Sequence, residues 1–107
     1  MKAILLWTII RPERRSAVIQ RLESEGFFGM TDMNVCGRGR QRGVQVGQVF
    51  YDELAKTMLL VAVLESDCQR AIDAIKSAAL TGLPGDGKIF VQPVREVYTI
   101  RTGKREL

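Results

Sequence analysis

The chain has 107 residues, the length of one domain, and its 46% hydrophobic and 26% charged content excludes a mainly disordered polymer. It has no histidine, two cysteines (Cys36 and Cys68) far apart, and 16 Lys+Arg against 12 Asp+Glu, a net charge of +4. These counts exclude His-based general-base catalysis, Ser-His-Asp and Cys-His arrangements, His-containing zinc sites, a CxxC redox motif and a disulfide framework, while the charge suits a polyanionic partner.

Lys2 and the apolar run from Ala3 to Ile10 look like the start of a signal peptide, but Arg11-Pro12-Glu13-Arg14-Arg15 follows at once with no small-residue cleavage site. The run is short and β-branched near its end, which predicts a central strand. Pro12 fits the first turn of a helix. Val18, Ile19 and Leu22 give that helix a narrow apolar stripe, and Gly26 is its expected stop. Thr31 to Cys36 alternates, with Met33 and Val35 against Asp32 and Asn34, as a half-buried strand does. Gly37 to Ala55 has no long apolar run and reads as a long loop, a length that is uncommon in a compact domain unless it is functional.

The pattern then repeats. Thr57 to Leu64 predicts a buried strand. Ser66 and Gln69 have the spacing of a capping box. Cys68, Ala71, Ile72, Ile75, Ala78 and Ala79 follow helical periodicity, ended at Gly82. Lys88 to Val91 predicts a strand bent or stopped at Pro93, and Val97 to Arg101 continues it or forms a short extra strand. Neither apolar run can span a bilayer as a helix, so the sequence predicts no membrane insertion, a cytoplasmic location and reduced thiols. Strand, helix, strand, long loop, strand, helix, strand is the α+β, ferredoxin-like βαββαβ order, here one domain over residues 1–107. Its helices cover one sheet face. The strands are apolar on both faces, so the open face is expected against other subunits.

Two segments carry candidate chemistry. Thr81-Gly82-Leu83-Pro84-Gly85-Asp86-Gly87-Lys88 satisfies the GxxxxGK part of a P-loop. It fails as one: Ile89 stands where a Ser or Thr holds magnesium, and the segment runs from helix to strand. Its glycines still let backbone N–H groups turn toward an anion beside a lysine, so an anion site outweighs an ordinary turn here. Gly37-Arg38-Gly39-Arg40-Gln41-Arg42-Gly43 offers three arginines on a glycine-rich loop, able to clamp phosphates or to bind RNA or DNA in the RGG manner, though from this run alone a solvated charged loop is the better reading. An RNA-binding domain of this fold needs paired aromatics on its strands; Lys88-Ile89-Phe90-Val91 lacks them, and no stacking platform is evident.

Together these segments resemble the PII (GlnB/GlnK-like) nitrogen regulatory signal-transduction family. TGLPGDGKIFV (residues 81–91) is similar to its C-terminal signature and GRGRQRG to the start of its T-loop. Ile9-Ile10-Arg11-Pro12, Gly29-Met30-Thr31 and Ile100-Arg101-Thr102-Gly103 match in order and spacing. The resemblance covers essentially the whole chain. It implies a trimer with ATP or ADP in clefts between subunits, and 2-oxoglutarate bound with Mg-ATP at the T-loop base. Carried over by position, Ile9, Gly29, Thr31 and Ala62 would line the adenine pocket. Gly37, Arg40 and Gly85-Asp86-Gly87-Lys88 would hold phosphates, and Arg101 would reach phosphate from the adjacent subunit. Gln41 would ligate magnesium, and Lys56 would pair with the distal carboxylate of 2-oxoglutarate. The triphosphate and dicarboxylate are strongly anionic, and Arg40, Lys88 and Arg101 supply opposing charge.

The chain also departs from the family pattern. Its T-loop is short, and Val46-Gly47-Gln48-Val49-Phe50 replaces the segment with the modified tyrosine, with which Tyr51 does not align. Thr99 stands where many members have an arginine, and Leu60 where they have a glutamate. The short loop, KTMLL (residues 56–60) and YTIRTG (residues 98–103) look most like the NifI branch. That branch implies a non-enzymatic regulator, alone or with a paralogous PII subunit. Its expected target is the dinitrogenase component of nitrogenase, or else an ammonium transporter or another nitrogen-metabolism enzyme. Val44, Val46, Val49, Phe50 and Tyr51 form the apolar T-loop tip expected to touch the target. A nucleic-acid module using Gly37–Gly43 and a weak ATPase are the competing readings; no residue but Asp86 is an evident base near the glycine turn, and it more naturally braces that turn.

Overall fold

The computed structural model describes residues 2–38, 44–46, 49–51 and 54–107, with the backbone alone at 44–46 and 49–51. Six strands and two helices follow in order: β1 (Ala3–Ile10), α1 (Arg15–Ser24), β2 (Met30–Gly37), β3 (Val44–Val46), β4 (Val49–Tyr51), β5 (Leu54–Leu64), α2 (Cys68–Ala79) and β6 (Gly87–Val94). The main sheet has the order β2-β5-β1-β6 with every pair antiparallel. This is the ferredoxin-like α+β arrangement expected from the order of elements. No helix among the described residues is long and apolar enough to cross a membrane.

The two longest apolar runs take the central places, β1 and β5, each flanked by a strand on both sides. Their alternate residues face the helices: Ile4, Leu6 and Ile10 from β1, and Leu59, Val61 and Val63 from β5. These pack with Val18 and Leu22 of α1 and Ala71, Ala74, Ile75 and Ala79 of α2. Deleting a buried leucine such as Leu6 from this core would cost roughly 3–5 kcal/mol. The helices touch each other on that side, where Arg70 reaches the Glu25 carboxylate and stacks over the Phe27 ring, 4.4 Å from its centroid.

The intervening residues form the second face. Leu5, Trp7 and Ile9 of β1 alternate with the core set and pair in register with Ala62, Leu60 and Met58 of β5. Met33 of β2 and Phe90 of β6 extend this face and are 41% and 52% exposed. No helix among the described residues covers it. The Trp7 indole N–H donates to Gln92 Oε1 at 2.8 Å, so its one polar atom is satisfied on an apolar surface.

Five expectations are corrected. The segment 37–55 is not one long loop: β2 runs to Gly37, β5 begins at Leu54, and β3 pairs with β4 as a separate hairpin, Val44 opposite Tyr51 and Val46 opposite Val49. β-branched and aromatic residues favour such cross-strand pairs. The capping box does not form. A 3₁₀ turn at Glu65–Asp67 leads into α2, the Cys68 N–H bonds to Glu65 O, and Gln69 instead donates to Asp73 at 2.9 Å. Backbone carbonyls thus meet the donors that a side-chain cap would have served. Helix α2 ends at Ala79, short of Gly82, whose φ of 86° belongs to the turn beyond it. Pro93 does not stop β6, which runs on to Val94; β6 is an edge strand, where a proline is tolerated. The segment after it forms a tight hairpin closed by the Tyr98–Arg105 bridge, not a further strand.

Candidate functional site

The chemistry gathers where α2, β6, β1 and β5 meet. Helix α2 runs into the turn 81–87 and the chain re-enters the sheet at Gly87. Asp86 organises this turn. Its carboxylate accepts from the backbone N–H groups of Thr81 and Gly82, each at 2.9 Å, and from the Thr81 hydroxyl. Arg11 Nε completes the set at 3.0 Å, and Arg11 Nη2 donates to Pro84 O at 2.7 Å. The Thr81 hydroxyl, backbone N–H groups and Arg11 hold the Asp86 carboxyl well below the usual carboxylate range. A carboxyl so depressed contributes stability that is complete above its unfolded value near 3.9 and lost only as pH falls through the folded value. Carbon-detected NMR titration should therefore find Asp86 still ionised at pH 3, where an ordinary aspartate is mostly protonated.

Two glycines have positive φ for structural reasons. At Gly87 φ is 112°, and a Cβ would lie 1.8 Å from the Ile9 carbonyl oxygen; the close approach lets Gly87 pair with Ile10 and start β6. At Gly85 φ is 98°, and Arg11 Nη2 and Lys56 Nζ stand 3.3 and 3.5 Å from the point where a side chain would begin. Lys56 Nζ donates to Gly85 O. Burial lowers the Lys56 pKa, Arg11 lowers it further, and Glu13 and Asp86 oppose the shift. The backbone N–H groups of Gly85 and Asp86 make no hydrogen bond among the described residues. Two cations, one carboxylate already engaged and two free amides make a cradle suited to an anion. Exposed Lys88, opposite Ile9 in register, adds a third cation.

The residues singled out in the sequence fall into separate groups. Ile9, Gly37, Lys56, Gly85, Asp86, Gly87 and Lys88 converge at one end of the sheet; Gly37 lies against the Lys56 stem, 3.6 Å from Cγ. Thr31 lies opposite Leu60, and Gly29 precedes Met30, whose partner is Val61. Ala62 therefore sits at the other end, six positions from Lys56, about 20 Å at roughly 3.3 Å per residue. Arg101 is exposed on the hairpin closed by the Tyr98–Arg105 bridge. That hairpin follows β6 from the end opposite the glycine turn. Among the described residues, no hydrogen bond or ion pair joins Arg101 to the turn. Arg40 and Gln41 lie outside the described residues. Val44, Val46, Val49, Phe50 and Tyr51 lie on the β3–β4 hairpin.

A groove of about 610 Å³ opens beside the turn on the helix side of β6, between Ile72, Lys76 and Leu80 of the α2 end and Ile89 and Val91 of β6. Its walls are mainly apolar, and it meets the anion cradle at Asp86, Gly87 and Lys88. No group of three or more His, Cys, Asp or Glu among the described residues could hold a metal. The residue missed by sequence reasoning is Arg11. Its signal was available: an arginine at a strand end, immediately before a proline that keeps its backbone extended (φ −63°, ψ 137°).

Residues 1–104 match the family model described as nitrogen regulatory protein P-II. The chain is 51% identical over 100 residues, 94% of its length and 95% of the relative's, to the nitrogen fixation nifHD1 region GlnB-like protein 1 of Methanosarcina barkeri. It is 47% identical, with the same shares covered, to the nifHD region GlnB-like protein 1 of Methanothermococcus thermolithotrophicus. Among solved structures it is similar to Arabidopsis thaliana PII bound to citrate, with a TM-score of 0.82 and 33% identity over 98% of this chain and 86% of that one.

Proposed function

The chain belongs to the nitrogen regulatory protein P-II family, in the branch of GlnB-like proteins of nitrogen-fixation regions, and from that premise we propose that it is a non-catalytic sensor of ATP or ADP and 2-oxoglutarate that regulates nitrogenase through its T-loop. The observation that carries this reading is the cradle formed by the Gly85 and Asp86 amides, Lys56, Arg11 and Lys88. Amides and Lys88 fit phosphate, and Lys56 fits a carboxylate. The Arabidopsis relative is bound to citrate, a polycarboxylate of the class that 2-oxoglutarate belongs to. Asp86 itself shapes the turn, since its carboxylate is already engaged.

The open, apolar sheet face supports a trimer, formed of this chain alone or with a paralogous subunit. In that assembly, Gly29, Thr31, Ala62 and Arg101 of the far end reach a cleft that one copy alone does not complete. Gln41 would hold magnesium together with the ligand oxygens, and Arg40 a phosphate. The β3–β4 tip would contact the dinitrogenase component, and the soluble sensor would work in the cytoplasm. No observation favours the nucleic-acid reading: the open face is lined mainly by aliphatic residues, Leu5, Ile9, Met58 and Leu60, around Trp7 and Phe90.

Calorimetric titration tests the reading. Mg-ATP should bind more tightly with 2-oxoglutarate present, and the reverse by the same factor. Gln41→Ala should abolish the 2-oxoglutarate response and leave ATP binding mostly intact. Absence of ATP binding, or ligand affinities independent of each other, would refute it.

A further inference from the structure

We propose that Arg11 is a positioning residue that sets the anion-binding turn from the end of β1, acting through Asp86 and Pro84. The inference rests on the nucleotide reading of that turn. Arg11 spans two acceptors at once, Nε on Asp86 Oδ1 at 3.0 Å and Nη2 on Pro84 O at 2.7 Å. Only a planar guanidinium offers donors in that fixed fork. Both members of the ion pair are about one-fifth exposed, 21% for Arg11 and 22% for Asp86, so solvent screens them only in part. Asp86 transmits the constraint: the carboxylate held by Arg11 also receives the Thr81 and Gly82 amides that close the turn.

Two consequences follow from where Arg11 is rooted. Pro12 holds its backbone extended, and the preceding residues Ile9 and Ile10 pair with Lys88 and Gly87. The guanidinium therefore ties the loose side of the turn to the same strand that anchors its other side. The free Gly85 and Asp86 amides stand between these two anchorages, so their direction is fixed by both. Lys56 occupies a second carbonyl of the turn, Gly85 O, next to the guanidinium. Pro84 O, Gly85 O and the Asp86 carboxylate thus each accept from one of two cations. An anion bound at the amides is then held without repulsion from those oxygens.

The test uses the full chain. Arg11→Ala, Arg11→Lys, Asp86→Asn and the Arg11→Ala/Asp86→Asn double variant are titrated with ATP alone, and then with 2-oxoglutarate in the presence of Mg-ATP. Amide hydrogen exchange at Thr81 and Gly82 is followed in each without ligand. Arg11→Ala should weaken ATP about tenfold, the loss expected of a charge-assisted contact, and Arg11→Lys should recover part of it, because one of two acceptors is still served. The double variant should lose less than the two single losses multiplied together, since both substitutions remove the shared Arg11–Asp86 contact. Exchange at Thr81 and Gly82 should quicken at least about tenfold in Arg11→Ala, with the β1 amides unchanged. Losses that multiply in the double variant, or wild-type exchange at the turn in Arg11→Ala, would overturn the assignment. A variant that loses 2-oxoglutarate binding alone would overturn it too, by making Arg11 a direct carboxylate ligand. If the wild-type chain binds no ATP, the nucleotide reading fails, and the exchange arm still decides whether Arg11 positions the turn.

Discussion

Gly87→Ala is expected to abolish the anion cradle and to lower the stability of the fold by about 2 kcal/mol or more. The added Cβ would meet the Ile9 carbonyl oxygen at 1.8 Å, a distance no side chain can share with backbone. Its φ of 112° is also a conformation that L-residues rarely adopt. Relief requires β6 to move away from β1, which breaks the Gly87–Ile10 and Lys88–Ile9 pairing. The Gly85 and Asp86 amides lie directly before that pairing and lose their direction with it. Chemical denaturation should show the lowered midpoint, and ATP titration the lost binding. The same substitution at Gly29, where nothing lies within 4 Å and φ is not positive, should leave the stability nearly unchanged. Equal effects at both positions would mean that the close approach is not what Gly87 provides.

The order of elements could be read from the sequence because the two central strands carry long apolar runs, Ala3–Ile10 broken only by Thr8, and Met58–Leu64. Strands β1 and β5 bury one face under the helices and present the other as Leu5, Trp7 and Ile9 beside Met58 and Leu60. Helix α2 was legible from its period, since Ala71, Ile75 and Ala79 recur on one side. The β3–β4 hairpin was not: strands of three residues are too short for alternation to stand out from a loop. The failed capping box shows a different limit. Ser66 and Gln69 have the right spacing, yet a 3₁₀ turn places the helix start after them, and spacing does not report which residue begins the helix.

The glycine turn was legible from its density of Gly, Asp and Lys in a few residues. The role of Asp86 followed from its being the one acid within that run. Arg11 was not, because its partners are 75 and 73 residues away and only the sheet register brings them together. Register also separates the remaining candidates. The chain order does not reveal that Gly29 and Ala62 sit at one end of the sheet while Lys56 and Gly85 sit at the other. That separation, seen in one chain, is the physical reason for expecting a second copy at the site.

The second large effect tests the proposed cleft between copies. Lys88→Ala and Arg101→Ala should each lose a charge-assisted phosphate contact, about 1.5–3 kcal/mol, or roughly 10- to 150-fold in ATP affinity. Both side chains are exposed, and neither makes a hydrogen bond or ion pair among the described residues, so both variants should remain folded. The cleft predicts more than two losses. If Lys88 comes from one copy and Arg101 from its neighbour, a trimer mixing the two variants contains some clefts with both residues intact. The decisive measurement is ATP titration of the two variants separately and after subunit exchange in an equal mixture, with exchange checked by native mass spectrometry. Nucleotide clefts shared between copies predict that about a quarter of the sites regain wild-type affinity, as random assortment in a cyclic trimer requires. A mixture whose subunits have exchanged but that regains no tight site would contradict the shared cleft.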